Sequence, residues 1–439
     1  MKLGLISLGC PKNTVDTEVM LSVLGNAVLT TNPYEADVIL INTCAFLKSA
    51  RDESISAISD MFRVKKKRPG LKIIVAGCFV SKDHAALLTK FPQVHAWLGI
   101  NDIINIRKAI EKGGVYTGAK PFVYNGRQHS SILNGVSAYV KISEGCNHAC
   151  SFCAIPGIKG RYRSREQGDI AREIKALLDS GVREINLISQ DLTYYGMDNN
   201  RKKKIASLLE KILKAAGNRK FWLRLLYLYP DIKVIQGIAD VMNKDRRVCR
   251  YIDIPFQHVS DTVLKSMRRG YEKKDVLNIT GMLKSRVKGI TIRTSFITGY
   301  PGETKADFQE MREFIKGNHV DRCGIFPYSD EPGTKAHTLT KKVSRLEIKR
   351  RRRILLVDSA GVYNYNNNRK KGETLSCLVL KEKGRGLYVG RTEGDAPDID
   401  GYIEIRSRKK LVPGYFCMVK ITGTVDMDLK GDAVWTGKK

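Results

Sequence analysis

Glu144-Gly-Cys-Asn-His-Ala-Cys-Ser-Phe-Cys-Ala-Ile-Pro-Gly-Ile-Lys-Gly-Arg-Tyr-Arg163 places three cysteines, Cys146, Cys150 and Cys153, in one short loop. Thiolates this close can hold three corners of a [4Fe–4S] cube, because such clusters are bound by cysteine sulfur. No fourth cysteine follows nearby, so one iron of a cube would lack a local protein ligand and stay open to a small molecule. A structural zinc site with His148 as the fourth ligand is the competing use of these residues. Zinc sites are usually assembled from two separated ligand pairs, and this loop has no such division.

Working outward, 439 residues are too many for one core and predict two or three domains, with an ordinary hydrophobic content of 42%. No uninterrupted apolar run has membrane length, and Met1-Lys-Leu-Gly-Leu5 reads as a strand. A soluble, cytoplasmic protein with no membrane partner is therefore expected. The ten cysteines fall largely in metal-like groups within a long chain, which favours ligation over disulfides. Lys and Arg number 76 against 45 Asp and Glu, a net charge of +31 that suits polyanionic partners such as RNA or the ribosome. By segment the charge is about +7 in residues 1–130, about +22 in 131–371 and about +2 in 372–439. Lys341–Arg353 is the densest basic run, and its everyday reading is a solvated helix face.

The first segment reads as a parallel α/β sheet. Leu3–Leu8, Asp37–Asn42 and Lys72–Ala76 are short apolar runs of the kind buried on both faces, with helical stretches at Val15–Leu24 and Ala50–Phe62. Each run ends at a cysteine, Cys10, Cys44 and Cys78, spaced 34 residues apart. In such sheets ligands bind beyond the carboxyl ends of the strands. Three cysteines at three such ends can converge on a second iron–sulfur cluster, while zinc or a redox trio are other uses of the same thiols. Pro11-Lys12-Asn13 should turn into the first helix.

Residues 120–135 read as a linker. Six strand-like runs follow, each leading into a helical pattern: Ala138–Ile142, Glu184–Ser189, Trp222–Leu228, Tyr251–Pro255, Thr291–Thr298 and Arg322–Pro327. Six such units predict a partial (β/α)6 barrel with its chemistry at the C-terminal rim. Gln190-Asp191, Tyr229-Pro230, Gln257-His258, Gly299–Glu303 and Tyr328-Ser329 fall at that rim. His258 there is as readily structural as functional, and Gly299 and Gly302 would allow close backbone approach to a ligand. Cys249, Cys323, Cys377 and Cys417 stand apart and read as packing.

From about Gly372 the pattern becomes five short strands: Thr374–Leu380, Leu387–Arg391, Tyr402–Ser407, Phe416–Thr424 and Ala433–Thr436. They predict a small β-barrel of the nucleic-acid-binding kind. Its longest loop, Glu393-Gly-Asp-Ala-Pro-Asp-Ile-Asp400, is acidic, and should repel phosphate and suit a basic partner unless it is only a solvated turn.

The C-x3-C-x2-C spacing, Phe152 before the third cysteine and the strand Ala138–Ile142 before the first resemble the radical S-adenosylmethionine (SAM) enzymes. Over essentially the whole chain, order and motifs resemble the methylthiotransferases. Ser7-Leu-Gly-Cys-Pro-Lys-Asn13, Ile41-Asn-Thr-Cys-Ala-Phe46 and Ala76-Gly-Cys78 are similar to that family's first domain. Glu144–Arg165, Asp253-Ile-Pro-Phe-Gln-His-Val-Ser-Asp261 and Arg293–Glu303 are similar to its barrel. Pro11-Lys12-Asn13 and Asp395-Ala-Pro-Asp-Ile-Asp-Gly401 resemble the RimO branch, which modifies a ribosomal protein. The tRNA branch usually has Gln-Met-Asn after its first cysteine. Lys159 departs from the Arg often found before Gly160.

The resemblance implies a cluster-binding domain over 1–125, a radical SAM domain over 135–368 and a five-stranded antiparallel TRAM barrel over 370–439. It implies two [4Fe–4S] clusters, on Cys10, Cys44 and Cys78 and on Cys146, Cys150 and Cys153. SAM contacts are expected from Phe152, Gln190, Asp191, Gln257, Arg293, Gly299 and Glu303. The implied reaction replaces a β-carbon hydrogen of an aspartate in small-subunit ribosomal protein twelve by a methylthio group. An unactivated C–H bond offers side-chain acid–base chemistry nothing to work on, so the hard step falls to cofactors. An electron donor such as flavodoxin or ferredoxin is implied, and the sulfur donor is not specified. A tRNA-adenosine methylthiotransferase has the same architecture. A non-catalytic iron–sulfur RNA-binding protein would leave the open iron and the polar rim without a use.

Overall fold

The computed structural model describes residues 1–434 except 119, 127, 128, 130, 132 and 134. In the first domain six parallel strands lie in the order Val28–Thr30, Lys2–Ser7, Val38–Thr43, Lys72–Gly77, Ala96–Leu98, Gly114–Tyr116. The three apolar runs are its adjacent central strands. The other three strands are three residues long, too short to show a period. Because strand side chains alternate, Val38 and Leu40 enter one core while Ile39 and Ile41 enter the other. Helices Pro11–Leu24 and Ile106–Lys112 cover the first face, and Lys48–Lys67 and Cys78–Lys90 the second. The first helix begins at Pro11 itself, with Cys10 in extended geometry at its N-cap. Proline suits that position because its missing N–H would have had no helical partner.

The middle of the chain forms six parallel strands paired in chain order: Ser137–Lys141, Glu184–Ile188, Trp222–Leu225, Val248–Asp253, Thr291–Thr298 and Arg322–Pro327. Helices flank them, with Ile170, Ile174 and Leu177 of Gln167–Asp179 giving one apolar stripe toward the strands. Residues 120–135 are more than a connector. Tyr124 and His129 are buried there, against Glu173 of the barrel and Glu18 of the first domain. Pro, Gly and polar composition signals a linker, but it does not reveal a side chain that crosses a seam.

Ser344 caps the 25-residue helix Arg345–Arg369. Its arginine run is not wholly solvated: Arg351 turns inward to Glu303 (2.6 Å) and Glu347 (2.8 Å). The last domain is a closed barrel of Thr374–Gly384, Leu387–Thr392, Ile403–Arg406, Phe416–Val425 and Asp428–Val434. The last strand was expected at Ala433–Thr436; it starts five residues earlier, and 435 and 436 lie outside the described residues. The all-antiparallel expectation needs one correction, because Ile403–Arg406 pairs parallel with Asp428–Val434. An odd number of strands cannot alternate direction around a closed ring, so at least one neighbouring pair must be parallel.

Candidate active site

Cys10, Cys44 and Cys78 follow three adjacent strands at their carboxyl ends, so the sheet brings them together. Gly9 (φ +94°) lets the first loop pass the second: a Cβ there would lie 2.8 Å from Cys44 Cβ and 3.1 Å from its Sγ. Asn13 laces the three loops. Its Nδ2 donates to Leu8 O (2.9 Å) and Thr43 O (3.1 Å), and the Cys78 thiol donates to its Oδ1 at 3.6 Å. Burial pushes the Cys78 thiol up to about 12 and raises that of Cys44. Buried thiols crowded in this way need a cationic centre to become thiolates together.

The second set is fastened to the barrel rim. Ser151 N–H donates to Met267 O (3.0 Å) and Ser151 Oγ bonds Ser266 O (2.9 Å) and Tyr300 Oη (2.8 Å). Gly145 (φ +83°) lies where a Cβ would strike Arg161 O at 2.2 Å. Burial pushes Cys146 up to about 11 and Cys153 to about 12. Arg269 Nη1 donates to Cys150 Sγ at 3.2 Å, which fixes a cation against that sulfur. All ten cysteines are free. His148 is engaged elsewhere: Nε2 meets Asp191 Oδ2 at 2.7 Å and the ring stacks on Tyr229 at 4.0 Å. Among the described residues no three His, Cys, Asp or Glu side chains converge closely enough for a single metal ion. The donors present, three free thiols in each set with nearby N–H and guanidinium groups, fit an iron–sulfur cluster better than one zinc.

The two sets border one interdomain seam. The short helix Ile155–Lys159 leaves the Cys153 loop, and its Ile158 shares an apolar cluster with Cys78 and Phe79. Lys159 Nζ lies 3.4 Å from both Asp16 and Glu144 carboxylates. Burial opposes its charge, but Cys78, Glu144 and Asp16 outweigh that and hold its pKa well above the ordinary lysine value. Lys141 bonds the same two carboxylates. Asp16 belongs to the first domain and Glu144 leads into the Cys146–Cys153 loop, so two lysines bind the cysteine sets into one frame. Lys12 reaches across the same seam to lie 3.4 Å above the centre of the Tyr227 ring.

The residues expected to contact SAM separate into groups. Phe152 is half-buried beside Met267 and Tyr300. Gln190 Nε2 donates to Glu144 Oε1 (2.6 Å), while its buried Oε1 has no partner, an orphan suited to a ligand donor. Gln257 holds a positive φ of 71° four residues past the strand Val248–Asp253, where it bridges to Phe296. Asp191 accepts from Thr193 N–H (2.8 Å) besides His148. Gly299 is glycine for packing: a Cβ would meet Ile348 Cγ1 at 2.3 Å. Glu303 accepts from Gly299 N–H (2.7 Å) and Arg351 (2.6 Å), tying rim to connecting helix. His258 is fully buried, accepts from Ser260 N–H at Nδ1 (3.0 Å) and faces Glu303 at 3.6 Å, the structural alternative. Arg293 lies mid-strand, paired with Asp253 (3.0 Å) and Asp400 (3.5 Å), below the rim.

Asp400 belongs to the acidic loop, and that loop's basic partner is the chain's own barrel. Asp395 pairs with Arg322 (2.8 Å), Asp398 accepts from Tyr139 (2.7 Å) and Asp400 from Tyr251 (2.7 Å). Glu393 O accepts from Arg224 Nη1 (2.7 Å), and Arg391 joins Arg224 on the buried Glu184 carboxylate. Burial alone would raise the Glu184 carboxyl, but the guanidinium groups of Arg391 and Arg224 outweigh it and hold Glu184 down at about 2. Glu184 and Arg322 begin their strands, while Tyr139, Arg224 and Tyr251 lie further along theirs, so the loop packs into the barrel across its strands. Arg269 and the Glu184–Arg391 contact have no local sequence signal, since their partners lie 119 and 207 residues away.

The chain matches the family described as Radical SAM superfamily over residues 140–315, the TRAM domain over 372–434, and Uncharacterized protein family UPF0004 over 2–99. It is 38% identical to ribosomal protein uS12 methylthiotransferase RimO of Pelotomaculum thermopropionicum, covering 99% of each chain. It is 39% identical to the protein of that name in Aquifex aeolicus, over 98% of this chain and 97% of that one. Its fold is similar to the radical S-adenosylmethionine methyltransferase TsrM of Kitasatospora setae, with TM-score 0.54, 15% identity and 76% of each chain covered.

Proposed function

The chain belongs to the RimO family of radical SAM methylthiotransferases, and we propose that it places a methylthio group on the β-carbon of one aspartate of ribosomal protein uS12. In this reading Cys146, Cys150 and Cys153 hold one [4Fe–4S] cluster and Cys10, Cys44 and Cys78 a second. When bound, the clusters with SAM supply an electron, a carbon-centred radical able to take a hydrogen atom from an unactivated carbon, and a sulfur group for transfer. The protein's own residues supply place and environment. Asn13 and Gly9 set the first three thiols, Ser151 and Gly145 the second three, and Arg269 provides positive charge at Cys150. Lys141, Lys159, Asp16 and Glu144 hold the sets in fixed relation and fill their shared wall with satisfied charge, which keeps loose water from the reacting volume. Gln190 is the rim residue best suited to a SAM contact, because its carbonyl is unpartnered.

The observation that carries the reading is the convergence of two three-thiol sets on one seam, bridged by Lys159. No helix among the described residues is long and apolar enough to cross a membrane. The carboxylates of the acidic loop are engaged by the chain itself, so the loop weighs neither for the ribosomal protein nor against tRNA. The full-length relatives favour the former. Mass spectrometry of small-subunit ribosomal proteins from cells with and without the gene tests it. The expected result is one methylthio group on one uS12 aspartate, lost in Cys10→Ala and in Cys146→Ala cells, each variant retaining about half the iron. Unchanged uS12 together with loss of methylthioadenosine from tRNA would replace this reading with the tRNA one.

A further inference from the structure

The cations around the seam differ in one respect. Lys141 and Lys159 each face Asp16 and Glu144, Arg293 faces Asp253, and Arg269 has Cys150 and the Pro255 carbonyl. Lys12 makes no ion pair among the described residues. Its ammonium rests on the face of Tyr227, 3.4 Å from the ring centre, and part of its surface stays accessible. An aromatic face attracts a cation through its quadrupole but offers no lone pair in the plane of a hydrogen bond. The three N–H donors of the ammonium are therefore left for another acceptor.

The platform under Lys12 is built at a conformational cost. Tyr227 lies just past the strand Trp222–Leu225 with φ +68°, a left-handed conformation that a bulky residue rarely adopts. It is held there from both sides: its N–H donates to Asp253 Oδ2 (3.0 Å) and its carbonyl accepts from Leu192 N–H (3.0 Å). The backbone turn aims the ring at the rim, where Lys12, two residues after Cys10, comes down on it. A lysine ammonium that lies between the cysteine sets, is pre-positioned on an aromatic face and is directly paired with no carboxylate among the described residues is a receptor for one.

We propose that Lys12, seated on Tyr227, receives the side-chain carboxylate of the substrate aspartate and so places its β-carbon between the two cysteine sets. This rests on the ribosomal-protein reading above and names the residue that recognises the modified side chain. The recognition is geometric as well as electrostatic. A carboxylate on the Lys12 ammonium leaves the adjacent β-carbon projecting one bond further into the shared volume. An asparagine at the same position would have the shape but not the charge.

The test uses reconstituted holoenzyme and peptides of the uS12 loop carrying either Asp or Asn at the modified position, with binding measured by fluorescence anisotropy under anaerobic conditions. The wild-type protein should prefer the Asp peptide by about 10- to 100-fold, the range of a hydrogen bond between charged groups. Lys12→Met should lower affinity for the Asp peptide by a similar factor, leave the Asn peptide unchanged and so erase the preference. Lys12→Arg should retain most of it. In turnover the Lys12→Met loss should appear chiefly in KM. Equal wild-type affinity for the two peptides would overturn the proposal, as would a Lys12→Met protein that still prefers Asp. Absence of methylthiolated uS12 from the wild-type enzyme is a separate outcome; it removes the ribosomal-protein reading, and this assignment with it.

Discussion

Replacing His129 by Gln should loosen the seam between the first domain and the barrel, and should do so most below neutral pH. His129 Nδ1 lies 2.5 Å from Glu173 Oε1 and Nε2 lies 3.0 Å from Glu18 Oε2, with all three side chains buried. Burial alone would disfavour the imidazolium. The hydrogen bonds to Glu173 and Glu18 outweigh it and raise the pKa from 6.5 to about 9. Because the folded value lies above the unfolded one, the stabilisation is complete below about pH 6.5 and is lost as pH rises through about 9. At about 1.4 kcal/mol for each tenfold change, the whole contribution is about 3 kcal/mol. Arg165 stays 2.6 Å from Glu173 with or without the imidazole, so the difference between the two proteins reports the histidine. Hydrogen exchange read by mass spectrometry suits a multidomain chain better than global melting, because it resolves local opening. The helices to follow are Pro11–Leu24, which carries Glu18, and Gln167–Asp179, which carries Glu173. Opening free energies in His129→Gln should fall by about 2–3 kcal/mol at pH 6 and converge on wild type above pH 9. An equal deficit at both pH values would show that the contact acts by packing rather than charge, and no deficit at pH 6 would refute the bridge.

Glu184→Gln leaves Arg224 and Arg391 buried without their carboxylate and should cost about 3–5 kcal/mol, read as earlier thermal release of the TRAM barrel; a change under 1 kcal/mol would mean that the arginines find other acceptors. Gly299→Ala combines φ +79° with a 2.3 Å clash on Ile348 and should cost about 2–5 kcal/mol in denaturant. Gly302→Ala, at φ +89° with open space around it, should cost only about 1–2 kcal/mol, and equal penalties would discount the Ile348 contact. In reconstituted protein, Arg269→Met removes a positive charge from Cys150 and should make the cluster of that loop harder to reduce, seen as a more negative midpoint in an EPR-monitored titration; a positive shift would contradict the electrostatic role.

Much of the architecture is written in short-range pattern. The short continuous apolar runs of Val38–Thr43 and its neighbours, the six strand-then-helix repeats and the cysteines at successive strand ends are local properties, and the chain folds as they indicate. The three-residue strands escaped because a period needs more residues than they contain. Gly299 was visible as a glycine, but only packing shows that it makes room for Ile348 rather than for a ligand.

The choice of charged partner is a different kind of information. The sequence shows that Glu393–Asp400 is acidic and suits either a basic partner or solvent, but among 76 lysines and arginines it cannot say which would pair with it. Tertiary closure selects Arg322 and Arg293 and packs a surface-like loop into the barrel. Likewise Lys12 and Tyr227, 215 residues apart, meet only because one domain seats on the rim of the other. Sequence by itself determined the elements and the thiol sets, because backbone period and ligand spacing act over a few residues. Only the tertiary structure decided which charges are satisfied by which partners, because Coulomb attraction and desolvation depend on distance through space and not along the chain.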